Sequence, residues 1–302
     1  MKLNCVVIIF CFFILPFQTN LKAEKIGSQD EVDVGYFSML FLKEGFGYTL
    51  IGARPMAIAY RKIEPTSFQQ EHSKIISNSE NFLFKECASD HLSRMIYLIH
   101  KPEFVETFNE NIDVFRASLG PHITAKKLLD EIATSQKDVF SILHFDEALL
   151  GILLGYGREN SLLYRRWMEI SSSTETFLRR VFSPGCMQPA SILWCLGNKQ
   201  PLSLNEITPA PGYHSLKEEQ EWLRAHFDLS AMKQLERGNC FLITACIFRA
   251  KQSAETTQLV EKYTRCRQIL SDLFYDQNVV DVVPRELTSE HPINWLEYDH
   301  TI

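Results

Sequence analysis

Met95-Ile-Tyr-Leu-Ile-His-Lys-Pro-Glu-Phe-Val-Glu-Thr-Phe108 decides the fold class, because the residue pattern changes inside it. Met95 to Ile99 is a short apolar run of strand character. Pro102 then suits the first turn of a helix, where its missing N–H removes no intrahelical bond. Phe104, Phe108, Ile112, Phe115 and Leu119 follow at steps of three or four and line one helical face, until Gly120-Pro121 stops the helix. Strand and amphipathic helix therefore sit side by side in one chain.

Toward the N-terminus, Tyr36, Phe37, Leu40 and Phe41 recur at helical spacing, and Lys43-Glu44-Gly45 ends that helix. Tyr48 to Ile51 reads as a strand, Gly52-Ala-Arg-Pro55 as a turn, and Met56, Ile58 and Tyr60 as a second strand. Glu64 to Asn81 is polar and loop-like, and Asn81-Phe-Leu-Phe84 is a further short strand.

Toward the C-terminus, Thr124 caps a helix carrying Leu128, Leu129 and Ile132. Asp146 caps a long apolar helical stretch reaching Ile170, which Gly155-Tyr-Gly157 kinks or interrupts. Ser172-Ser-Thr-Glu175 and Ser215-Leu-Lys-Glu218 are capping-box patterns. Ser230 and Gly238 bracket another helix, Cys240 to Phe248 is the most apolar strand segment, and Ser253 opens the last long helix. That helix places Leu259, Tyr263, Cys266, Leu270, Leu273 and Phe274 on its apolar side, and the tail packs through Trp295. The expected fold is α+β and helix-rich, with a small mixed or antiparallel sheet from strands near 48–51, 56–60, 95–99 and 240–248. Five prolines between Pro184 and Pro211 mark the best place for a subdomain break inside a single 24–302 domain.

The first 23 residues have the order of a secretory signal peptide: the charge of Lys2, an apolar run from Cys5 to Leu15, and small Ala23 before the cleavage point. The run falls short of the roughly 20 residues needed to span a bilayer. Lys2 and Lys22 leave with the signal, taking 31 basic residues to 29 against 37 acidic ones, a balance of −8. Such a chain is poorly suited to general nucleic-acid binding, and no stable membrane insertion is expected after cleavage. Export permits disulfides, and Cys186 with Cys195 is the first pair to test; Cys240, Cys246 and Cys266 read as small buried apolar residues. No C-x-x-C or H-x-x-x-H spacing occurs, so neither a metal site nor a cofactor is expected.

Among candidate sites, Phe46 to Gly52 has glycines, but they lie between helix and predicted strand rather than between strand and helix, which is the wrong order for a phosphate loop. Gly155, Gly157, Arg158, Glu159 and Asn160 are the more distinctive group. They put polar residues at a break in an apolar helix, where backbone donors and acceptors are free for a ligand. Gly151 and Gly155 would share one helix face and admit a close neighbour. His144-Phe-Asp146-Glu147 reads more economically as a helix cap than as an acid/base cluster, and the pairs Arg165-Arg166 and Arg179-Arg180 read as solvated faces. Cys186 is a nucleophile only if a base lies beside it in space.

Two stretches resemble segments of uncharacterised exported proteins of chlamydia-like intracellular bacteria: Phe41 to Met56, and the Leu-Leu-Gly-Ile-Leu-Leu-Gly-Tyr-Gly-Arg-Glu-Asn run ending at Asn160. The resemblance implies a bacterial envelope or host-facing location and no particular activity, and the exported chain is expected to be periplasmic or secreted. The sequence is therefore read as an exported, non-enzymatic protein that binds a protein or small-molecule partner at the envelope or host interface. The alternative is a secreted hydrolase or transferase with dispersed catalytic residues.

Overall fold

A computed structural model describes residues 38–61, 79–90, 93–172, 207–237, 243, 248–275 and 279–296. Residues 1–23, read above as a signal peptide, lie outside them, as do Cys186, Cys195, Cys240, Cys246, Arg179-Arg180 and most of the proline-rich stretch. The fold is helix-rich α+β. A π-helical turn, Met39–Lys43, leads into α1, Phe46–Leu50, and then β1, Met56–Arg61. Strands β2, Phe82–Asp90, and β3, Ser93–His100, follow. Next come α2, Lys101–Glu110, α3, Ile112–Leu119, α4, Ala125–Thr134, α5, Val139–Ile142, α6, Glu147–Leu153, and α7, Arg158–Ser172. The C-terminal part holds α8, Leu216–His226, β4, Phe227–Asp228, a 3₁₀ helix, Ser230–Arg237, β5, Ala250–Lys251, α9, Ala254–Tyr275, and α10, Val279–Thr288.

The main sheet is antiparallel with β3 between β1 and β2, and Tyr97 lies opposite Ile58 on one side and Lys85 on the other. Side chains alternate across a strand. Ile96 and Leu98 enter the core built with α1, α9 and α10, whereas Tyr97 and Ile99 enter the core built with α2 to α6. Both faces are thus covered, which explains why Met95 to Ile99 is apolar without interruption. β4 and β5 form a separate two-stranded antiparallel ladder.

Tyr48 to Ile51 is not a strand, and β1 finds its partner in β3 rather than in a hairpin with it. Phe46, Tyr48, Leu50 and Ile51 are all buried, so their apolar run has no solvent face to reveal a period. The 104–119 helix is divided at Asn111, whose Nδ2 donates to Thr107 O at 2.9 Å. A side chain that bonds its own preceding turn competes with helix continuation. Phe108 and Phe115 still meet across the break, with ring centroids 4.6 Å apart.

The local caps follow the sequence closely. Thr124 Oγ1 accepts from Lys127 N, Asp146 Oδ1 from Ala148 N and Leu149 N, and Ser215 Oγ from Glu218 N. Arg165-Arg166 is not a solvated pair. Arg165 bonds Asp146, and Arg166 forms a two-pronged pair with buried Glu219 at 2.7 Å on both prongs. The cause is α8 docking on α7, a contact between helices whose first residues lie far apart in the chain. Burial pushes the Glu219 carboxyl up, but Arg166 and the Ala210 N–H outweigh it and hold it below the usual range.

Cys87 and Cys266 are buried and outside any disulfide, Cys266 on the apolar face of α9 with Tyr263 and Leu270. Among the described residues, no helix is long and apolar enough to cross a membrane.

Candidate functional site

The five residues singled out by the sequence lie at the junction of α6 and α7, facing the start of α9. Helix α6 ends at Leu153, so Gly155 lies beyond it and does not share a helix face with Gly151. Gly155 takes φ +76°, donates to Ile152 O, and is followed by Tyr156 donating to Gly151 O. This pair of reversed bonds is a Schellman ending, which places glycine in the left-handed position. The carbonyls just exposed are taken at once. Arg54 Nε donates to Leu154 O at 2.7 Å, and Tyr263 Oη donates to Gly155 O at 2.5 Å. A Cβ on Gly155 would lie 2.4 Å from Tyr263 Oη. Close approach and positive φ thus both require glycine there.

The start of α7 is completed from outside. An α-helix leaves its first amides unpaired and its N-terminus partly positive. Glu255, in the first turn of α9, supplies the acceptor: Arg158 N reaches Oε1 at 2.8 Å, Glu159 N reaches Oε2 at 2.9 Å, and Asn160 N reaches Oε2 at 3.3 Å. Gly157, with φ +83°, makes room, since a Cβ there would stand 2.7 Å from Glu255 Cδ.

The side chains are equally engaged. Asn160 is almost completely buried; its Nδ2 donates to Tyr156 O and Thr256 Oγ1, and its Oδ1 accepts from Lys251 N. Glu159 pairs with Lys251 at 3.0 Å, and that bond holds its carboxyl below the usual range against the opposing effect of burial. Arg158 makes a two-pronged bond to Asp113 of α3 at 2.6 and 2.7 Å. Its guanidinium holds the Asp113 carboxyl down at about 2. A carboxylate that stays ionised at neutral pH is poorly matched to proton transfer there. Both partners are exposed, so Asp113→Asn is expected to leave the melting temperature nearly unchanged in differential scanning calorimetry, with any loss fading in high salt.

Beside this junction, Tyr156 stacks on Phe248 with centroids 4.5 Å apart and lies 5.7 Å from the Arg54 guanidinium. Farther along α7, Arg249 lies 4.7 Å over the Trp167 ring, and Lys251 lies 5.9 Å over Trp222, which also stacks on His226. Tyr213, just before α8, meets Trp222 edge-on, completing a cationic and aromatic ledge beside α8. Among the described residues, no group of three or more His, Cys, Asp or Glu side chains is placed to hold a metal.

Sequence reasoning found the glycines, Arg158, Glu159 and Asn160 but not the groups that meet them. Arg54, Asp113, Thr256 and Glu255 carry no local mark, and Tyr263 is marked only as a residue on the apolar side of its helix. Ser253 does, and it caps α9 by accepting from Thr256 N. That cap identifies the helix start but not the direction in which Glu255 points.

Comparison with known protein families, curated proteins and solved structures found no match.

Proposed function

We propose that this chain is an exported, non-enzymatic protein that binds a partner at the cell envelope or host interface, akin to the exported chlamydia-like proteins its two segments resemble. The observation that carries the reading is the saturation of the 154–160 junction. Three amides rest on Glu255, two carbonyls are taken by Arg54 and Tyr263, and Arg158, Glu159 and Asn160 are each tied to another element. Those bonds favour a rigid framework over a reactive centre at this position. Partner contact is assigned to the aromatic ledge of Tyr213, Trp222 and His226, since aromatic side chains with one open edge are favoured at interfaces.

Two measurements test it. Mass spectrometry of the exported protein is expected to find Glu24 as its first residue, and an intact N-terminus would remove the cleaved-signal part of the reading. A photo-reactive amino acid at position 222, in cells producing the full chain, is expected to give one discrete adduct that the same group at exposed Arg116 does not. Equal labelling from both positions, together with hydrolase or transferase turnover abolished by Arg158→Ala, would support an enzyme instead.

A further inference from the structure

The ring of His100 joins three parts of the fold. His100 is the last residue of β3 and the N-cap of α2. Its Nδ1 accepts from Glu103 N at 3.3 Å, so the nitrogen must keep its lone pair for the cap to exist. The ring meets Phe82 of β2 edge-on, with centroids 5.1 Å apart. It also lies against the turn after α1, where a Cβ on Gly52 would stand 3.3 Å from Cε1. The backbone of His100 is fixed from the same side, its N–H donating to Pro55 O at 2.9 Å.

We infer that His100 is an acid-sensitive latch between the sheet and α2: a proton on Nδ1 removes the acceptor that caps α2 and sets a positive charge at the helix end that repels one. Helix N-termini favour negative charge and disfavour positive. The charged groups around it do not offset that change. On α2, Lys101 is cationic and bonds Ser79 O at 2.6 Å. Glu103 is paired with Lys262 of α9 at 3.6 Å, and burial pushes its carboxyl up. Lys262 and Arg265 lie over Trp295, whose N–H donates to Ile51 O beside Gly52. Glu80, next to β2, acts on Lys101, and Glu106 acts on Glu103.

Desolvation of the ring agrees with the geometry, holding His100 down to about 4 from an ordinary 6.5. In an opened state the ring titrates normally and binds the proton more readily. The latch is therefore fully engaged above about pH 6.5 and weakens as pH falls toward 4. Glu103 has the opposite sign, since a carboxyl raised by burial favours the folded state as pH falls, so the two groups are separable by substitution.

Hydrogen exchange of the Glu103 and Phe104 amides, corrected for intrinsic rates, tests the latch. Protection is expected to fall by at least about tenfold between pH 7.5 and pH 5. His100→Asn keeps a good capping oxygen and does not titrate, so its protection should stay flat across that range. Equal loss in the two proteins would overturn the inference. If the variant does not fold, the ring proton of His100 in the unmodified protein still decides. A midpoint below pH 5 by NMR supports the latch, and a midpoint near 6.5 overturns it.

Discussion

Gly155→Leu is expected to lower stability by about 2–5 kcal/mol, measured by urea unfolding. Overpacking a filled site costs about 1–3 kcal/mol. The left-handed backbone adds about 1–2 kcal/mol for a residue with a Cβ. Both apply because Gly155 has φ +76° and a Cβ there would lie 2.4 Å from Tyr263 Oη. A double-mutant cycle separates them. Tyr263→Phe deletes the hydroxyl that the new Cβ would strike, so Gly155→Ala should cost less in that background than in the unmodified protein. Equal costs in both backgrounds would mean the hydroxyl does not fill the space above Gly155.

Glu255→Ala is expected to destabilise by about 2–4 kcal/mol in the same assay. Hydrogen bonds to a charged acceptor contribute about 1.5–3 kcal/mol each, and water can replace some of those lost at a partly open site. The carboxylate also sits on the positive end of α7, an interaction of about 0.3–2 kcal/mol. Glu255→Gln keeps one acceptor oxygen and should lose less than half as much. An alanine variant as stable as the unmodified protein would show that α7 is capped in another way.

What the sequence reveals about this fold is mostly what is local. Thr124, Asp146, Ser215 and Ser253 each cap a helix through an oxygen two or three residues from the amide it serves, so a short window contains the whole interaction. The 104–119 face is legible for the same reason, although the break at Asn111 depends on a single side-chain bond to Thr107. The short α1 escapes notice because every apolar residue in it is enclosed. The Gly151 and Gly155 pairing fails because a Schellman ending at Leu153 changes the direction of the chain between them.

The candidate site shows the same division. Gly155-Tyr-Gly157 announces an interruption, and the interruption is real. Whether its backbone groups await a ligand depends on residues far away in the chain: Arg54 is 100 positions from Leu154, Tyr263 is 108 from Gly155, and Glu255 is 97 from Arg158. No periodicity connects such positions. The same distance hides the Arg166–Glu219 pair, 53 residues apart, in which a half-buried Arg166 meets buried Glu219 although the sequence alone reads as a solvated face.

The central claim is that the 154–160 junction is closed by the protein itself, with Glu255 as its keystone. Native-state hydrogen exchange at the amides of Arg158, Glu159 and Asn160 tests it most directly. The unmodified protein should protect all three far above the level of open loop amides, and Glu255→Ala should remove that protection first at these three. Rapid exchange in the unmodified protein, or protection indifferent to Glu255, would contradict it.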